Sequence, residues 1–167
     1  MGASQRYQEG DLFAVPIRES TWAVGVVARM SKENRGVVLG YFYSTIYEHP
    51  PLHWPAPAYP NPAAPDAILR FGDHGIISGR WPIIGGLPEW NPVDWPMPTF
   101  ANRPIVSSRH GVWLEETYYQ DDPNRVLSSA PISVALALNL PPAELCGYKS
   151  VEKRLARIFL NQEPMIN

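Results

Sequence analysis

Ser150-Val151-Glu152-Lys153 carries the Ser-x-x-Lys spacing in which a lysine can activate a serine nucleophile. The Ser-Asp-Asn and Lys-Thr-Gly companions of such a site are missing, and a serine that caps a helix is the simpler account. His49 and His53 stand four apart, a metal-ligand spacing on one face of a helix, but Pro50 and Pro51 exclude that helix. Asp73-His74 sets a carboxylate beside an imidazole; adjacent residues in a Gly-flanked turn point apart, so turn polarity explains them better than a dyad. Cys146 has Leu145 and Gly147 as neighbours and no activating base in sequence, which fits a small core residue. A single cysteine excludes an intrachain disulfide and a cysteine-rich zinc site. No Gly-x-Gly-x-x-Gly or Walker-type phosphate loop occurs. Glu115 and Glu116, on a strand, face opposite sides and make no catalytic pair. No residue is therefore assigned a catalytic, cofactor-binding or metal-binding role, and no cofactor is expected.

Binding chemistry is better represented. Tyr118 and Tyr119 precede Asp121 and Asp122 near a hairpin end. Aromatic anchors beside charges make good interface residues, and an acidic patch can meet a basic surface such as a nuclease's groove, speeding encounter and blocking it. These four are the candidate contact residues; as structure alone, they read as a solvated rim at a turn. Two other functions fit the composition. Exposed Trp and Tyr could form a carbohydrate- or peptide-binding surface, and His74 or His110 with a nearby carboxylate could serve a hydrolase.

The elements that would position these residues follow from composition and pattern. A chain of 167 residues with 45% apolar content can form one domain with a real core. The formal net charge of −2 argues against a nucleic-acid partner. The polar start MGASQRYQEGD has no signal-peptide core, and no apolar run is long enough to cross a membrane, so a cytoplasmic protein is expected. Leu12–Ile17, Trp22–Arg29 and Gly36–Thr45 read as three strands of an antiparallel meander. Pro16 marks a strand edge or end, and Trp22, Val24 and Val26 share a face. Gly25 marks a bulge or a close backbone approach.

Pro50–Pro65 has seven prolines in sixteen residues and forms neither helix nor central strand. It reads as a surface excursion docked through Trp54 and Tyr59. Phe71–Gly75 reads as a turn. Ile105–Ser107 and Val112–Tyr119 read as a hairpin turned at Ser108–Gly111, and Asp121–Asn124 as a further turn. Ile132–Leu140 fits strand or helix. Ser150 caps a predicted helix over Val151–Leu160, with Val151, Leu155, Ile158 and Phe159 inward. The fold class is thus α+β and β-rich: a curved antiparallel sheet or partial barrel with long Trp/Pro-rich loops and a C-terminal helix, in a single domain over 1–167.

Gly79–Phe100 holds three of the six tryptophans, and Trp81 and Trp95 each precede a proline. Such a run is ordered, irregular chain pinned by large rings. Its Gly79–Gly85 stretch, GRWPIIG, resembles the Trp-Pro-(Val/Ile)-Ile-Gly element of immunity-protein family 26 from bacterial polymorphic toxin systems. Gly10–Ile17, GDLFAVPI, followed by Gly25-Val26-Val27, is similar to that family's opening, Pro92–Phe100 to its proline-aromatic segment, and Gly147-Tyr148 with Val151, Glu152 and Leu155 to its end. The resemblance implies a non-enzymatic protein whose partner is a cognate protein toxin, bound and occluded without turnover; a nuclease domain is the expected toxin. It supplies no contact residues and leaves the oligomeric state open. It also implies that Trp81 and Trp95 are buried scaffold.

Overall fold

The computed structural model describes residues 5–34, 36–54, 59–103 and 112–160. In chain order its elements are β1 (Asp11–Arg18), β2 (Thr21–Met30), β3 (Val37–Tyr47), β4 (Ala67–Gly72), α1 (His74–Ile77), β5 (Ile83–Gly86) and β6 (Phe100–Asn102). They continue with β7 (Leu114–Tyr119), β8 (Asp122–Pro131), α2 (Val134–Ala137), β9 (Leu145–Cys146) and α3 (Tyr148–Phe159). The predicted meander forms as β1–β2–β3 and is extended antiparallel by β4. β5 adds to the β1 edge and β9 to the β4 edge, giving the order β5-β1-β2-β3-β4-β9. β9 runs parallel to β4, so the sheet is mixed rather than wholly antiparallel, and it closes into no barrel. β6, β7 and β8 form a second, antiparallel sheet.

Both faces of the large sheet are covered, which is why its strands read as nearly unbroken apolar runs. One face carries Leu12, Ala14, Val24, Val26, Leu39 and Tyr41, with Trp22 packed at its margin. It meets Trp95, Met97, Phe100 and Tyr118 of the Trp/Pro segment and the small sheet. The other face carries Phe13, Val15, Val27, Val38, Phe42 and Phe71, and packs against Ile76 of α1, Trp81, and Val151 and Leu155 of α3. Trp81 and Trp95 are 0% and 4% exposed, as the scaffold reading expects. Pro16 lies beyond Asp11–Phe13, the part of β1 that β5 pairs, as a strand-edge proline should.

Gly25 is a close-approach glycine and not a bulge. A Cβ there would sit 2.6 Å from Phe13 Cζ and 3.0 Å from Phe42 Cδ1, inside the edge-to-face contact of those rings. Gly25→Ala is expected to cost about 1–3 kcal/mol by overpacking, measured as a lower urea midpoint at unchanged m-value.

Several expectations are corrected. α3 starts at Tyr148 with Gly147 as its cap, because the chain leaves β9 at Cys146 in extended backbone and can turn at once; Ser150 lies inside the first turn and caps nothing. Ile158 is 43% exposed and off the buried stripe that Val151 and Leu155 define. Phe71–Gly75 is not one turn: β4 runs through Gly72, α1 opens at His74, and only Asp73 lies between them. Gly79–Phe100 is less irregular than expected, since it contributes β5 and a 3-10 turn at Pro92–Asp94. Ile132–Leu140 contains the short helix α2, whose Leu136 N–H is capped by Ser133 Oγ at 3.3 Å. The Ile105–Ser107 strand and its turn at Ser108–Gly111 lie outside the described residues. In the proline-rich excursion, Trp54 packs edge-on to Tyr43 and Tyr43 Oη donates to Asn61 O, but Tyr59 is 45% exposed and docks on nothing comparable.

Candidate functional site: the β7–β8 turn

Two arginines in otherwise apolar strands decide where the β7–β8 turn sits. Arg29 of β2 and Arg70 of β4 both pair with Leu39 of β3, so they stand in one row across the large sheet. Both are buried, at 5% and 6% exposure. Arg29 Nε donates to Gln120 O at 2.8 Å, and its other nitrogens donate to Ala28 O and Pro92 O. Arg70 Nε donates to Pro123 O at 2.6 Å, and its Nη1 donates to Tyr118 Oη and Ala143 O. The turn is thus gripped at Gln120 and at Pro123, one guanidinium on each side.

Neither guanidinium touches a carboxylate directly, so burial pushes the pKa of both down from the ordinary arginine value. Carbonyl dipoles hold Arg29. Arg70 is held by carbonyls, by the Tyr118 ring 4.2 Å from its centre, and by a relay to a charge. Tyr118 Oη donates to Glu116 Oε2 at 2.8 Å, and Glu116 Oε1 accepts from Asn102 Nδ2 at 2.6 Å. Burial and the bond to Glu116 push the Tyr118 phenol up to about 12, with Arg70 opposing. Tyr118 is 4% exposed and Asp122 is 3% exposed. Asp122 Oδ1 accepts the Asn124 N–H at 2.9 Å and so builds the turn. Of the four predicted contact residues these two therefore face inward, consumed by the scaffold.

Tyr119 and Asp121 remain on the surface. The Arg125 guanidinium lies 3.7 Å from the Tyr119 ring centre. Asp121 accepts from Lys32 Nζ at 3.1 Å and lies 3.7 Å from Arg125, which also reaches Glu33 at 3.6 Å. The Lys32 hydrogen bond holds the Asp121 carboxyl below the usual carboxylate range. Pairs this exposed add little stability; they present alternating charge around an aromatic ring. Beside them opens a cleft of about 460 Å³ lined by Glu9, Arg29, Lys32, Val93, Gln120 and Asp121, where Val93 is 80% exposed.

The other sequence candidates are not brought together. His74 packs on the Tyr148 ring at 5.3 Å, while Asp73 accepts from Tyr7 Oη at 2.9 Å, so the adjacent pair has separate partners. His49 and His53 are exposed on the excursion, and His110 lies outside the described residues. Cys146 is buried and its thiol pKa is pushed up by that burial, the opposite of an activated nucleophile. Among the described residues no group of three His, Cys, Asp or Glu could hold a metal ion, and no helix is long and apolar enough to cross a membrane. All six tryptophans are among the described residues and none is exposed; of the tyrosines only Tyr59 and Tyr119 are. Sequence reasoning missed Arg29, Arg70, Lys32, Glu33 and Arg125. A visible signal existed for Arg70, a lone cation inside the apolar strand AILRFG.

Residues 8–110 match the family model described as immunity protein 26. No curated protein and no solved structure matches the chain. The matched stretch ends before β7, so the turn just described lies wholly outside it.

Proposed function

We propose that this chain, which belongs to the immunity protein 26 family, acts in the cytoplasm as a single domain that binds a cognate toxin and occludes it without turnover. The observation that carries the reading is the β7–β8 turn. Two buried arginines hold it rigid, and it presents Tyr119, Asp121 and Arg125 beside an open cleft. A pre-ordered turn loses little conformational freedom on binding. Its place beyond the matched stretch suits a scaffold shared within a family and a contact surface that differs with each toxin. The acidic residues Glu9, Glu33 and Asp121 around the turn favour a basic partner surface, as a nuclease would offer. The carbohydrate alternative lacks an exposed tryptophan platform.

The test is co-expression with the toxin encoded beside this gene. Growth is expected to be rescued, the two proteins to co-purify, and Tyr119→Ala to weaken binding about tenfold, or roughly 1.4 kcal/mol. Failure of every neighbouring-locus toxin to be neutralised or bound would overturn the reading.

A further inference from the structure

β4 is an incompletely paired strand. On its inner side β3 pairs Ala67 through Gly72; on its outer side β9 pairs only Arg70 and Phe71. Among the described residues no strand covers the outer side of Ala67–Leu69. A slot of about 480 Å³ runs along that edge, lined by Ile68, Leu138, Pro141, Pro142, Arg154 and Ile158. Leu138 is 73% exposed and Ile158 43% exposed.

The walls cannot pair the strand. The amides of Leu138, Asn139 and Leu140 donate to the carbonyls of Val134, Leu136 and Ala137. Pro141 and Pro142 have no N–H, and Ala143 donates to Ala101 O. Asn139 Nδ2 donates to Ala135 O, and Arg154 is bound to Glu144 Oε2. The residues facing the edge are thus either apolar or already committed. What the edge lacks is a chain with free main-chain groups at strand spacing and apolar side chains for the two walls.

We propose that this slot receives an extended, apolar segment of the toxin as an added strand in line with β9, a proposal that rests on the toxin-binding reading above. A second copy of this chain is a poor occupant. Its other open-edged strand, β8, has a register shift between Thr117 and Tyr118 that leaves Leu127 unpaired, and Pro131 lacks an N–H. β8 entering the slot of another copy would also be a head-to-tail contact between unlike surfaces. Arg70 ties the slot to the β7–β8 turn, since it follows Leu69 and bonds both Ala143 O and Pro123 O.

The experiment uses the co-purified complex with the neighbouring-locus toxin. Hydrogen exchange at the amides of Ala67–Leu69 is expected to slow at least tenfold on complex formation. Leu138→Glu, at an exposed position, is expected to melt like the parent protein yet bind the toxin about tenfold more weakly. A complex that forms with unchanged exchange at Ala67–Leu69 and parental affinity for Leu138→Glu would overturn the slot proposal and leave the toxin-binding reading standing. Self-association lost in Leu138→Glu would assign the slot to a second copy and equally overturn it. If no complex forms, the toxin-binding reading falls and this proposal falls with it.

Discussion

Arg70→Met is expected to lower stability by about 3–5 kcal/mol. Methionine fills much of the same volume but donates nothing. Pro123 O, Ala143 O and Tyr118 Oη lose the donor they now share, at about 1–3 kcal/mol for each group left buried and unpaired. The Glu116 carboxylate loses the cation it faces through Tyr118. Arg70→Lys should fall between the two: its single ammonium keeps the charge but cannot span Pro123, Tyr118 and Ala143 as the planar fork does. Urea unfolding measures the total effect. Hydrogen exchange locates it, since loosening should concentrate at the β7–β8 turn rather than at the β1–β3 meander. Because that turn is the proposed contact surface, toxin affinity should fall in both variants. An Arg70→Met protein within 1 kcal/mol of the parent, with the turn still protected, would show that Arg70 is a passenger and not a clamp.

Trp81→Ala is expected to cost a similar amount, about 3–5 kcal/mol, through the opposite face of the sheet. The Trp81 ring is fully buried, stacks on Phe13 at 5.8 Å with nearly parallel planes, and meets Phe71 at 5.4 Å. Gly75 of α1 lies so close that a Cβ would be 2.6 Å from the indole. The indole Nε1 donates to Glu152 Oε1 at 2.9 Å, and Glu152 is also held by both ends of the Arg80 fork at 2.6 and 2.8 Å. Removing the ring empties the space between the sheet, α1 and α3 and orphans one lobe of Glu152. Glu152→Gln, which keeps an acceptor for the indole, should cost about 1 kcal/mol. Thermal melts of the two variants separate packing from polar contact. Toxin affinity should change little for any Trp81→Ala protein that remains folded, because this face lies opposite the β7–β8 turn. A selective loss of binding at unchanged stability would move the contact surface to the Trp81 side.

The meander was legible because its apolar and aromatic residues are contiguous in sequence and its turns are short, so pairing needs only local information. The buried tryptophans were legible for a related reason: Trp-Pro excludes regular ladder pairing, and a ring that size in an ordered segment must find a core. β8 was missed because RVLSSAP carries no alternation; its first two residues are buried and the rest exposed. β9 is two residues long and exists only because β4 offers an edge. The Ser150 cap failed because helix starts are decided by where the preceding strand releases the chain as much as by side-chain preference.

Among the candidate contacts, the sequence placed Tyr118, Tyr119, Asp121 and Asp122 at one turn but could not say which faced out. That is set by partners 48 and 91 residues away along the chain, where Arg70 binds Tyr118 and Arg29 binds Gln120. A strand's period of two says that neighbours point to opposite sides; it does not say which side a second sheet will cover. By itself, then, the sequence determined the β-rich class, the meander, the buried Trp-Pro scaffold and the family, because each rests on short-range pattern and residue chemistry. Only the tertiary structure decided that Tyr119 and Asp121 are the surface pair and Tyr118 and Asp122 the internal one. It also left the edge of β4 open, because both outcomes depend on which distant segments pack across the sheet and which main-chain groups they have already paired.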